Sequence, residues 1–194
     1  MPSTVRQGRS TRDRGAAAVE FALLIPIFVM LTFGMLSAGL AFWHNIALTQ
    51  GARDAARLGA TYPIGTETNE KPMPDWLQMV ANTAAAEAGW DITGGTDPDN
   101  LDAGDLDGSG ENGFVCAAFV AGTVSGSSGL ASDSLYFGRA GNLPSGVSST
   151  QCYSDGRAED RVQVRIHREA GFNAIFVSTT WDLNSRSSIL YERG

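Results

Sequence analysis

The chain is short of the residues that most enzymes and nucleic-acid binders need. It holds two cysteines and two histidines in 194 residues. His44 falls at the edge of an apolar run and His167 in an alternating segment. No G-x-S-x-G elbow, H-E-x-x-H pair or cysteine-based metal cluster occurs, so hydrolase and zinc chemistry have no recognisable carrier. Basic residues are also few: 14 Lys and Arg stand against 21 Asp and Glu. With no cationic stripe to displace counterions along a phosphate backbone, nucleic acid is not an expected partner. Charge of either sign is missing altogether between Phe21 and Phe42, a run of 22 residues without an ionisable side chain.

That run decides the class. At about 1.5 Å per residue it spans about 30 Å, the thickness of a bilayer's hydrocarbon core. Arg6, Arg9, Arg12 and Arg14 precede it against Asp13 alone, whereas the part after residue 43 is strongly acidic. The positive-inside rule then puts the N-terminus in the cytoplasm and the rest of the chain outside. The run is too long for a secretory signal, no A-x-A site follows near Trp43, and Asp13 interrupts any twin arginine, so the segment is expected to remain as an anchor.

Helical character begins at Ala16 and continues past the span, through the Ala- and Leu-rich stretch 44–60 with Arg53, Asp54 and Arg57 as its polar positions. It ends at Tyr62-Pro63, where the residue before proline is driven out of the helical region. Pro26, Gly34 and Gly39 are expected to bend it. Residues 1–14 read as a disordered basic leader. Asp75–Gly89 reads as a second, shorter helix closed by glycine. Residues 91–113 read as a loop, Phe114–Val124 as a buried strand, and 125–150 as a Ser/Gly stretch with at most a short strand near Leu135–Phe137. Arg161–Arg168 alternates, with Val162, Val164 and Ile166 on one face, and Trp181, Leu183, Ile189 and Tyr191 share a face of a terminal strand. The expected class is α+β: a long N-terminal transmembrane helix continuing into a head with a second short helix and a small antiparallel sheet. The expected divisions are a leader at 1–15, the span at 16–43, its extramembrane continuation at 44–61 and the head at 62–194.

Three local patterns bear on chemistry. Gly108, Gly110 and Gly113 match G-x-G-x-x-G, but they precede a strand within an anionic run, the wrong context for a dinucleotide. Asp105, Asp107, Ser109 and Gly110 match the opening of a calcium loop, yet the twelfth position is Cys116 and not a bidentate Glu. No cofactor is therefore expected, with a calcium site and a merely solvated acidic loop both left open. Cys116 and Cys152 both lie on the side assigned outside, where an oxidising compartment favours a disulfide. Such a closure stabilises by about 3–4 kcal/mol in the chain-entropy model. Glu20 stands at the head of the apolar run, where an acid is either functional or solvated by headgroups.

Gly15-Ala16-Ala17-Ala18-Val19-Glu20-Phe21 resembles the processing site of type IV pilin-like proteins. RGAAAVEFALLIPIF with GARDAARLGA is similar to the TadE-like pseudopilins of the bacterial tight-adherence (Tad, or Flp) pilus system, and the strands VQVRI and ILYE resemble that family's ending. The resemblance covers 14–60 and, weakly, the C-terminal strands. It implies cleavage by a prepilin peptidase between Gly15 and Ala16, a Glu20 that seats one subunit beside the next, and a non-enzymatic minor pilin or assembly component. It further implies the bacterial inner membrane or a surface pilus as location, a pilin-like periplasmic head, and other pilus components and the lipid bilayer as partners. The rival is a membrane-anchored periplasmic binding module whose acidic loop holds calcium and whose leader is never cut.

Overall fold

The computed structural model describes residues 11–65, 70–93, 105–107, 113–123, 128–138, 147–174 and 177–192. The fold is α+β. Helix α1 (Thr11–Thr61) is followed by helix α2 (Met73–Glu87) and strands β1 (Asp91–Thr93), β2 (Asp105–Asp107), β3 (Gly113–Val120), β4 (Asp133–Gly138), β5 (Arg161–Ala174) and β6 (Val177–Leu190). Strands β4-β3-β5-β6 form one antiparallel sheet, and β1-β2 form a separate pair.

Helix α1 is 51 residues long, about 77 Å at 1.5 Å per residue. It starts at Thr11, five residues before the alanine run, so part of the basic leader is helical and not disordered. It continues through Pro26 without a break. The Thr32 hydroxyl donates to the Phe28 carbonyl at 2.8 Å, which satisfies a polar group inside an apolar stretch. Its C-terminal end is closed from outside. Trp76 Nε1 donates to the carbonyls of Gly59 and Tyr62, each at 3.2 Å, and so serves backbone acceptors that the end of a helix leaves free.

One face of the sheet packs under both helices. Val115, Ala117 and Phe119 of β3, Leu135 and Phe137 of β4, and Val162, Val164 and Ile166 of β5 meet Leu48, Ala52, Ala55 and Ala56 of α1 and the buried face of α2. Trp76, Phe119 and Tyr191 pack edge to face in a chain through the middle. The Tyr191 hydroxyl accepts from the Ile64 amide at 2.9 Å, tying the last strand to the α1–α2 connection.

Strand β5 runs antiparallel to α1 at matching pace. A Cβ built on Gly59 would lie 3.0 Å from Val162, one on Gly51 would lie 3.6 Å from Ile166, and Arg168 Nη1 stands 3.4 Å from His44 Nδ1. Six strand residues and fifteen helix residues both advance about 20 Å, so the two elements lie side by side along their lengths.

Several sequence expectations shift. Residues 91–113 hold two short paired strands and are not one loop; Ile92 and Leu106 are single apolar residues, too few for a visible period. Strand β4 has six residues where three were expected, and β5 and β6 have fourteen each. The alternation in β5 hides a second buried face. Arg161, Gln163 and Arg165 are covered as well as the apolar set, because segment 147–160 lies across the far side of the sheet.

That far side is fastened by polar and covalent links. Cys116 and Cys152 form a disulfide within the cluster of Phe114, Ala118, Val120, Tyr136 and Tyr153. Gln163 Oε1 accepts from the amides of Cys152 (3.2 Å) and Tyr153 (3.5 Å). Arg161 meets Asp155 at 2.8 Å and donates to the carbonyls of Arg157 and Glu159. Asp160, itself buried, accepts the backbone N–H groups of Gly122 and Ser128.

Burial alone would raise the Asp160 carboxyl's pKa, but those amides and the Ser128 side chain outweigh it and hold it below the usual carboxylate range. Asp155 is likewise lowered: burial is outweighed by hydrogen bonds from Gln163, the Arg157 amide and Ser188, and by the Arg161 charge. A depressed carboxyl contributes stability above its unfolded pKa, near 3.9 for Asp, and that stability is lost as pH falls through the folded value. Unfolding of the detergent-solubilised chain should therefore show a stability plateau above about pH 5 and a decline below about pH 4. Asp160→Asn should lower the plateau by about 1–3 kcal/mol and flatten part of the acid decline. An unchanged acid limb in that variant would show that Asp160 is not a source of it.

Candidate assembly surface on the N-terminal helix

The helix divides into a covered and an uncovered part. Gly51, Ala52, Ala55, Ala56 and Gly59 are buried inside the head against α2 and β5. Gly51, Ala55 and Gly59 recur at four-residue spacing, and the chain itself fills the space beside the glycines: Trp76, Val80 and Val162 stand against Gly59, and Glu87, Ala84 and Ile166 against Gly51. Gly34 lies in open surroundings, with nothing within 4 Å of a built Cβ.

Below the head the helix is bare. Apolar side chains from Val19 to Ile46 stand exposed, among them Phe21, Phe28, Met35 and Phe42. The richest 18-residue stretch has a mean hydropathy of 2.3, and none of it is buried. So much exposed apolar area cannot stay in water. The length and composition suit a bilayer, and membrane anchoring is the role they support.

Gly15 and Glu20 lie exposed on the first turns of α1. Ala16 continues the same helix, with Glu20 four residues and about 6 Å further along the axis. The structure therefore places Gly15, Ala16 and Glu20 together at one end of the uncovered helix, remote in sequence from the head.

The possible metal ligands are not brought together in this way. Asp105 and Asp107 occupy a strand whose Cα partners are Thr93 and Asp91, an extended backbone and not the tight chelating turn of a calcium loop. Ser109 lies outside the described residues. Among the described residues no group of three or more His, Cys, Asp or Glu side chains gathers as for a metal ion.

One long apolar helix, whose end packs with a second, shorter helix against a four-stranded antiparallel sheet, defines an α+β protein with, among the described residues, one helix suited to anchoring in a membrane. Residues 15–57 match the sequence model of the TadE-like protein family, so the match opens on the glycine of the proposed cut and ends within the covered part of α1. No curated protein and no solved structure matches the chain. The family match suggests a component associated with Tad pili.

Sequence reasoning missed two features of this surface. The filling of Gly51 and Gly59 depends on α2, and no local pattern says where α2 docks. The contact between Arg168 and His44 joins residues far apart in the chain, and neither sits in a motif.

Proposed function

We propose that this protein is a minor pseudopilin or assembly component of a Tad-type pilus. In this reading a prepilin peptidase removes the leader between Gly15 and Ala16, and the head stands in the periplasm. The span then acts by packing against other pilus subunits in the membrane or the filament. The observation that carries the reading is the coincidence of the family match, beginning at Gly15, with an exposed glycine at the start of a bare apolar helix.

The chemistry supports it. Glycine within a helix costs about 1 kcal/mol relative to alanine, so the bond after Gly15 lies where the first turns open most readily. Cutting there creates an α-ammonium at Ala16 close to the membrane surface. Glu20, exposed about 6 Å along the axis from that charge, presents a carboxylate at the level where a neighbouring subunit's ammonium would need neutralising. The open surroundings of Gly34 suit close approach of a second helix.

Protein taken from membranes of the native host should begin AAAVEF on N-terminal sequencing, and Gly15→Leu should block the cut. Mature chains that still begin at Met1 or Pro2 would favour a plain anchor over a processed subunit.

A further inference from the structure

The β5–β6 hairpin reaches beyond the head in the direction of the apolar helix. Its strands stay in register to Ala174↔Val177, five rungs past the pair Glu169↔Asp182, or about 17 Å at 3.3–3.4 Å per residue. Because β5 descends along α1, that extension points down the span, from the level of His44 toward the uncharged run.

Charge stops at the same height on both elements. On α1 nothing between Phe21 and Phe42 ionises, and His44 is the first ionisable residue above them. On the hairpin, residues 170–181 carry no ionisable side chain, and the boundary rung is Glu169↔Asp182. Arg168 stands at 3.4 Å from His44 and ties the two boundaries together in space. His167, 3.9 Å from Asp182, belongs to the same belt. Just below the belt lie two exposed indoles, Trp43 on α1 and Trp181 on β6, at 64% and 38% exposure. Tryptophan flanked by charge on one side and an uncharged run on the other is the signature of a bilayer interface.

From this shared boundary we infer that the β5–β6 hairpin is a second membrane-contacting element, seated in the outer leaflet's interface beside α1. The inference rests on reading α1 as the span. Strand β6 ends the sheet, and its outer backbone edge needs water, which the hydrocarbon interior does not supply. The hairpin therefore lies obliquely at the level of headgroups and upper acyl chains and not across the membrane. Its effect is to fix the tilt and rotation of the head relative to the bilayer plane, which one helix alone cannot do.

The test is tryptophan quenching in the full chain, reconstituted in phosphatidylcholine vesicles brominated in the upper acyl chains. W43F retains Trp181, W181F retains Trp43, and the double variant keeps only the buried Trp76 and Trp90 as baseline. W181F should be quenched relative to the baseline, which checks the span. W43F should lose the emission share of one indole in three and resist aqueous acrylamide. If W181F is quenched but W43F is not, and Trp181 answers to acrylamide, the hairpin stands in water and the inference fails. Failure by both quenchers would mean that a second copy of the chain, not lipid, covers it, and this too would overturn the lipid assignment. An unquenched Trp43 would defeat the span reading itself.

Discussion

Gly59→Leu is expected to prevent the head from folding, and Gly59→Ala to destabilise it by about 1–3 kcal/mol, the range for overpacking a close-packed site. A Cβ at this position would lie 2.9 Å from Trp76 Cζ2, 2.9 Å from Val80 Cγ2 and 3.0 Å from Val162 Cγ1. None of the three can easily give way. The indole is pinned by its two hydrogen bonds to the end of α1, and both valines are fully buried. Alanine's helix propensity returns about 1 kcal/mol, which is too little to offset three contacts of this kind. Gly34→Ala supplies the contrast, since a Cβ there meets nothing within 4 Å and the change should be neutral or mildly stabilising. Near-UV circular dichroism melts of the two alanine variants in detergent would separate them by sign. Equal melting of both would show that the close packing of α1 on α2 is not what holds the head.

Glu20→Ala is expected to leave the protein cut, stable and abundant while surface pili and crosslinks to other pilus components fall about tenfold or more. Removing one partner from an ion pair at low dielectric costs about 3–5 kcal/mol, enough for a loss of that size. The head does not depend on Glu20, which is exposed and distant along α1 from the first fully covered residue, Leu48. Accumulation therefore serves as the internal control. The measurement is complementation of a deletion strain, scored by immunoblot for cleavage and by pilus yield. Normal piliation from a correctly processed Glu20→Ala chain would leave this carboxylate as an interfacial residue solvated by headgroups, and would remove the subunit-pairing part of the proposal.

The parts of this molecule that could be read in advance are those whose physics is local. The end of α1 at Thr61 follows from Pro63, and α2 follows from an alanine-rich run closed by Gly89, whose φ of +77° suits a residue without a side chain. Val162, Val164 and Ile166 point into the core as their alternation implies. The less legible features depend on elements meeting. Arg161 and Gln163 look like a solvated strand face until segment 147–160 covers them with Asp155, Cys152 and Tyr153. The buried glycines of α1 could be read equally as helix filler or as a contact between subunits, because the spacing is the same for either partner. At the candidate site the apolar run was legible because a membrane imposes length and charge rules on any sequence. The match of boundaries at His44 and Glu169↔Asp182 was not, since it requires knowing that β5 descends along α1.

The side-by-side course of α1 and β5 has a mechanical consequence. Tension between an anchored span and the head enters through α1 and must leave through its flank, from Leu48 to Gly59. The load falls along the contact and not across its end, so the interlocked glycines, Trp76, Val162 and Ile166 resist it together as a lap joint resists sliding. Helix and strand cannot be peeled apart one residue at a time by such a pull. The disulfide lies on the opposite face of the sheet, outside this line of force, where it secures segment 147–160 rather than the anchor.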